Sequence, residues 1–250
     1  PPRWSASAGV AAGHWCPGPR GWETRGGTII AVAAGVVAVY AEQNTRASLF
    51  DGLKRKEVYA TTGTRIALRF FGGWEYLPGD VSASDMVSIG YKKGVPMGAD
   101  LSKAPAGKAP SFMILAMKDP VDANLDRIQV VKGWLGKEGK PLEKVFDVAL
   151  ADDRTVGADG KVAPVGNTVD LKTGHYSNTI GDAQLATVWV DPEFDASIRA
   201  FYYVRVLQIP TPRHTLFDTI ALGLDPKESG KPSTIQERAY SSPIWYTPGM

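Results

Sequence analysis

The sequence is poor in the residues that most often carry chemistry. One cysteine, Cys16, and three histidines, His14, His175 and His214, are spread over 250 residues. A lone cysteine excludes an intramolecular disulfide and any thiolate-rich zinc site. The histidines lie far apart, and none is paired with another His, Cys or carboxylate at a recognised metal spacing. His14 and Cys16 look like half of a ligand pair with no second half. The GxSxG elbow, the GxxxxGK phosphate loop and the CxxC pair are all missing, so neither nucleophilic nor nucleotide chemistry is signalled by a motif. Charge of neither sign dominates: 28 Lys and Arg against 26 Asp and Glu give a net charge of +2. Without a basic stripe interleaved with aromatics, nucleic acid is not an expected partner. Long apolar runs are lacking too. The segment Gly26 to Ala41, "GGTIIAVAAGVVAVYA", falls short of the roughly 20 residues that cross a bilayer, and no membrane span is expected.

What is present is enough to build a core. The chain is 44% apolar and 10% aromatic, which leaves room for one large domain or two modest ones. It opens on Pro1 rather than Met, as expected of a fragment or a processed product. The run ending at Ala41, apolar on both faces, reads as a buried strand of a parallel sheet. A helix follows: Asn44 or Thr45 can cap its first turn, Leu49, Phe50 and Leu53 form an apolar face, and Lys54, Arg55 and Lys56 crowd its carbonyl end. Strand, polar loop and helix make half of a βα unit. In such units ligands gather at the loop after the strand, which here presents Glu42, Gln43, Asn44, Thr45 and Arg46.

Beyond "ATTGTRI" the period changes to two. In "RIALRFFGGW", Ile66, Leu68 and Phe70 alternate with Arg65, Ala67 and Arg69, the pattern of a half-exposed strand. "SFMILAMK" reads as a central strand. "RIQVVKGWL" and "EKVFDVAL", around Gly136 and Gly139, read as a hairpin, and "AQLATVWV" and "AFYYVRVLQI" supply two more strands. With almost no helical pattern between them, these predict an antiparallel sandwich. Two polar insertions, Pro78 to Pro110 and Asp152 to Gly181, read as surface loops, and "IQERAYSSPIWYTP" as a terminal strand or arm. Asp119, Asp122, Asn124 and Asp126 have calcium-like spacing but lack the later Gly and Glu of an EF-hand, so they read as a polar turn; Asp152, Asp153 and Asp159 are read the same way. Trp74, Trp134, Trp189 and Trp245 lie on strands or edges, as core residues do.

Several blocks carry a resemblance to a family: "AEQNTRASLFDGLKRKEVYATTGTRIALRFFGGW", "GVPMGADLSKAPAGKAPSF", "KDPVDANLDRIQVVKGW", "PVGNTVDL", "AFYYVRVLQIPTPR" and "TIQERAYSSPIWYTP". From about Ala38 to Pro248 the chain resembles the carboxy-terminal part of the bacterial domain-of-unknown-function family 3604. The resemblance implies a longer protein whose amino-terminal barrel is related to the polymerase and histidinol phosphatase (PHP) phosphoesterases, where divalent metals activate water. It implies export, hence a periplasmic or secreted location. The metal-ligand motifs would lie upstream, so no metal or other cofactor is expected in this chain alone, and the missing barrel is its expected partner. Gln43 departs from the family's Glu-Asn-Thr-Arg run, Ala47 stands where an acidic residue is usual, and His214 where Trp is common.

The combined expectation is a mostly β chain, an antiparallel β-sandwich-like domain over 61–250 preceded by a remnant βα unit of an α/β barrel over 28–60 and an irregular stretch over 1–27. Asn44, Arg46 and Arg65 are the expected contacts of a small anionic substrate, because guanidinium groups bind phosphate through bidentate, charge-assisted bonds; the equal alternative is that Arg46 and Arg65 make ion pairs at the junction between barrel remnant and sandwich. Two alternatives stand beside this one. In one, a stand-alone module binds a glycan or a protein on Trp74 or Trp134; in the other, the β-domain serves only as structure.

Overall fold

The computed structural model describes residues 35–136 and 138–249. Fourteen strands and three α-helices follow in the order β1 (Val36–Val39), α1 (Arg46–Lys54), β2 (Val58–Thr61), β3 (Ala67–Gly73), α2 (Met86–Lys93), β4 (Gly94–Pro96), β5 (Asp100–Leu101), β6 (Ser111–Met117), β7 (Leu125–Leu135), β8 (Pro141–Leu150), β9 (Gln184–Val190), β10 (Ala200–Gln208), β11 (Thr211–Pro212), α3 (His214–Leu222), β12 (Thr234–Ile235), β13 (Arg238–Ser241) and β14 (Ile244–Tyr246). The apolar and β-branched runs became strands, as their composition favours.

One sheet has four strands in the order β4-β3-β6-β9. In the larger sheet β10 is central: β7 and then β8 lie along one side of it, and β13 and β14 share the other. From β13 the sheet continues to β2 and β1, and from β14 to β5. Every pairing is antiparallel except β5 with β14. Leu68, Phe70, Phe112 and Ile114 belong to the same buried core as Val130, Tyr202, Val204 and Val206. A second cluster, Phe71, Tyr76, Met86 and Met113, packs on the other side of the four-stranded sheet under α2.

Several expectations need correcting. The strand before Ala41 does not belong to a parallel sheet: β1 runs antiparallel to β2, with Val36 opposite Thr61 and Val39 opposite Val58. It is half-buried rather than covered on both faces; the part of the apolar run before Gly35, like His14, Cys16 and the stretch 1–27, lies outside the described residues. Helix α1 forms as expected, with Thr45 accepting a bond from the Ser48 N–H at 3.3 Å. Its apolar face is not its contact, because Phe50 and Leu53 are exposed while Gly52 is buried. The reason is a close approach: a Cβ at Gly52 would lie 2.7 Å from the Tyr40 carbonyl oxygen and from Val39. β3 is buried on both faces rather than half-exposed, since α2 covers Phe71 and the Tyr40 ring lies 3.3 Å under the Arg69 guanidinium. Helix α2 interrupts the insertion Pro78 to Pro110 that reads as surface loop, and α3 forms where almost no helical pattern is expected between strands. The boundary expected at residue 60 falls inside β2.

Candidate functional site

A cleft of about 540 Å³ is built on the residues that follow β2. Thr62, Thr64 and Arg65 form one wall, the β6–β7 connection brings Asp119 and Asp122, and Tyr176, Phe217 and Glu237 arrive from the 152–181 insertion, α3 and the residue before β13. Loops at strand ends, the long insertion and α3 together place these side chains, and loops held by a rigid sheet are where binding groups collect. Gly174 is needed beside them. Its φ is 70°, and a Cβ there would lie 2.5 Å from the Phe217 ring, so only glycine fits without strain.

Each carboxylate of the cleft has a donor. Asp119 Oδ2 accepts the Arg65 backbone N–H at 2.9 Å and its Nε–H at 3.1 Å, while Oδ1 accepts Val121 N–H at 3.2 Å. Asp122 Oδ1 accepts the Tyr176 hydroxyl at 3.0 Å and Ala123 N–H at 2.8 Å. Glu237 accepts the hydroxyl of Thr62, whose oxygen in turn accepts Arg238 N–H at 2.9 Å. Burial pushes the Asp119 carboxyl up, but the bonds from Arg65 and Val121 outweigh it and hold it below the usual range. Burial, and then the bond to Asp122 and its charge, push the Tyr176 hydroxyl up to about 12, so it stays a donor at neutral pH.

Of the three expected contact residues only Arg65 lines this cleft. Its side chain is 60% exposed, and among the described residues its two Nη groups make no hydrogen bond. Asn44 and Arg46 are exposed and lie elsewhere: the loop that carries them leaves β1 at Val39, whereas the cleft adjoins the opposite end of the β1–β2 pair, at Thr61. The acidic run of the β6–β7 connection is a polar turn, its members turned to separate partners. Asn124 donates to the carbonyls of Asn178, Ile180 and Gly181, and Asp126 meets Arg127, Arg154 and Gln236. Asp152 accepts Gly181 N–H and Asp159 accepts Lys161 N–H, as turn residues do.

The donor set does not fit the divalent metal that the resemblance implies for a longer relative. Among the described residues no group of three or more His, Cys, Asp and Glu could hold a metal ion, and His175 and His214 are exposed. What the cleft offers is recognition: one guanidinium, hydroxyls from Thr62, Thr64 and Thr211, and carboxylates that can accept from a ligand's hydroxyls. Sequence spacing gave no sign of Glu237, Tyr176 or Phe217, which come from segments remote from Arg65.

The tryptophans fall into two groups. Trp74 donates from Nε1 to Ser102 at 3.1 Å and packs edge-on against Phe194 and Tyr246; Trp134 faces the Lys132 ammonium at 5.5 Å; Trp189 stacks on Phe112. Among the tryptophans of the described residues Trp245 is the exposed one, at 38%. No helix among the described residues is long and apolar enough to cross a membrane.

No curated protein and no solved structure matches the chain. A family model described as "protein of unknown function (DUF3604)" does match, over residues 20–248, and the chain belongs to that family.

Proposed function

We propose that the chain is the carboxy-terminal, ligand-holding portion of a PHP-like metal-dependent phosphoester hydrolase, with catalytic metals held by residues upstream of those described, and that Arg65 receives the anionic group of a small substrate. The observation that carries this is the Arg65 guanidinium: it lines the cleft, Asp119 holds its Nε, and its two Nη groups, without a hydrogen bond among the described residues, can make a bidentate bond to a phosphate. The charge balance narrows the substrate. Three carboxylates and one guanidinium line the cleft, so a dianionic phosphomonoester meets more repulsion than attraction, whereas a monoanionic diester bearing hydroxyls finds one cation and several acceptors. Asn44 and Arg46 lie at the far end of the β1–β2 pair and do not line this cleft.

Calorimetric titration of the chain with glycerophosphoglycerol and with glycerol 3-phosphate tests it. The diester should bind saturably and more tightly, and Arg65→Ala should remove binding. Absence of diester binding, or binding unchanged in Arg65→Ala, overturns the assignment of the cleft. Hydrolysis of bis(4-nitrophenyl) phosphate by the chain alone, dependent on added manganese or zinc and abolished by chelation, overturns the placement of the metals upstream.

A further inference from the structure

On its outer face the large sheet carries a second concavity, of about 310 Å³, unrelated to the cleft. Its floor is one register row that crosses four strands: Glu143 on β8 lies opposite Gly133 on β7, Gly133 opposite Phe201 on β10, and Phe201 opposite Trp245 on β14. Gly133 makes the floor possible. A Cβ at that position would lie 2.3 Å from Phe201 Cζ, so the phenyl ring rests directly on the backbone of β7. Trp245 follows it at 5.1 Å between ring centroids with a 46° tilt, and two aromatic faces form a shallow V. Exposed Leu135 and Leu142 extend the apolar wall.

The rim is polar and balanced. Glu143 and Arg199 are exposed at its edge, and among the described residues neither side chain has a hydrogen bond or an ion pair; the Trp245 indole N–H has no acceptor either. Three ligand chemistries can be compared with this rim. An apolar peptide side chain would fill the V and desolvate the two charges without satisfying them, which is costly. A charged ligand would gain from one rim group and be repelled by the other. A neutral pyranose has both requirements in one ring: a face of C–H groups to lie on the electron-rich aromatic surface, and hydroxyls that donate to Glu143 and accept from Arg199 and the indole N–H. The concavity lies at the lower end of the size range of small-ligand pockets, enough for one or two rings.

We propose that this groove is a carbohydrate-binding site for a neutral pyranose, with Phe201 and Trp245 as the stacking floor and Glu143 and Arg199 as the hydroxyl contacts. It stands independently of the reading of the Arg65 cleft. The groove adjoins Phe201 near the start of β10 and the cleft adjoins its end beyond Gln208, roughly 23 Å away at about 3.3 Å per strand residue. A glycan held here would leave the Arg65 cleft free, so the two sites could serve one extended substrate or act separately.

The test is titration of tryptophan emission with methyl glucoside, methyl galactoside, methyl mannoside and the cello-, manno- and xylopentaoses. At least one of these should produce a saturable change, with affinity at least tenfold weaker in Trp245→Ala and severalfold weaker in Glu143→Ala, an exposed position whose loss leaves the fold intact. Arg65→Ala should bind the sugar as the parent does, which separates this site from the cleft. No saturable change with any of the six overturns the proposal, and so does binding that survives both groove substitutions. Titration with a proline-rich decapeptide is the control; peptide binding lost in Trp245→Ala, with no sugar binding, would make the groove a protein contact and overturn the carbohydrate assignment.

Discussion

Arg65 reaches the same oxygen of Asp119 twice, by its backbone N–H at 2.9 Å and by its Nε–H at 3.1 Å. The two partners are unequal: the carboxylate is buried and the arginine side chain is mostly exposed. Removing Asp119 strands two backbone N–H groups, those of Arg65 and Val121, so Asp119→Ala should cost about 2–3 kcal/mol. Arg65→Ala leaves those backbone bonds in place and gives up only a solvent-screened pair, which is worth about 1 kcal/mol or less. Urea unfolding of both variants checks this, and equal losses would show that the guanidinium, not the backbone, is what Asp119 holds.

Stability should fall at both ends of the pH scale for identifiable reasons. The Asp119 carboxyl is held low in the folded chain, so the stability it contributes is present above its unfolded pKa of about 3.9 and is lost as pH falls through its folded value. The hydroxyls of Tyr91 and Tyr176 are pushed up to about 12, first by burial and then by Glu57 and Asp122 respectively. Their contribution is complete below the unfolded pKa of about 10 and drains away as pH rises toward 12. A Tyr91→Phe, Tyr176→Phe double variant should therefore show a shallower decline in melting temperature between pH 10 and 12. An unchanged slope would remove these two groups as its cause.

Gly90 sits in the middle of α2, where alanine would ordinarily stabilise a helix by about 1 kcal/mol. Here the sign should reverse. A Cβ at Gly90 would lie 2.8 Å from three atoms of the Phe71 ring, and the Gly90 carbonyl accepts the Tyr76 hydroxyl at 2.6 Å. The helix would have to lift from the sheet, so Gly90→Ala should cost about 1–3 kcal/mol as overpacking does. A rise in melting temperature would mean that α2 does not seat on Phe71.

The strands were readable because their pattern is local. "SFMILAM" is apolar without interruption and became β6, central between β3 and β9; the hairpin of β7 and β8 turns at Gly136 and Gly139. The direction of β1 was not readable, because parallel and antiparallel partners both accept a run of Val and Ala, and the choice was made by β2, a segment that lies beyond a helix. Helix α2 escaped notice because it docks through Met86 and Gly90 rather than through a stripe of large apolar residues. The cleft was legible only at Arg65. Thr62 and Glu237 bond across a sequence separation of 175, and contacts of that range leave no spacing signal in the chain.

Lys132, Asp191 and Tyr202 form a buried polar knot where β7, β10 and the end of β9 meet. Lys132 Nζ donates to Asp191 Oδ2 and to the Glu193 carbonyl, each at 2.7 Å, and the Tyr202 hydroxyl donates to the same carboxylate oxygen at 2.8 Å. Glu193 N–H fills Oδ1 at 2.9 Å, so every acceptor on Asp191 is engaged. Burial, and then the charge of Asp191, push the Tyr202 hydroxyl far above its ordinary range, which keeps it a donor. Removing one ion leaves the other buried without its partner, so Lys132→Met and Asp191→Leu should each cost about 3–5 kcal/mol. Removing both leaves no stranded charge, and the double variant should lose much less than the sum, with a coupling of about 1–3 kcal/mol across the cycle. Tyr202→Phe, which deletes one donor but keeps the ring against Phe112 at 4.6 Å, should cost about 1–2 kcal/mol. Strict additivity of Lys132→Met and Asp191→Leu in urea unfolding would show that the two charges are hydrated independently, and that the knot does not hold the end of β9 to β7.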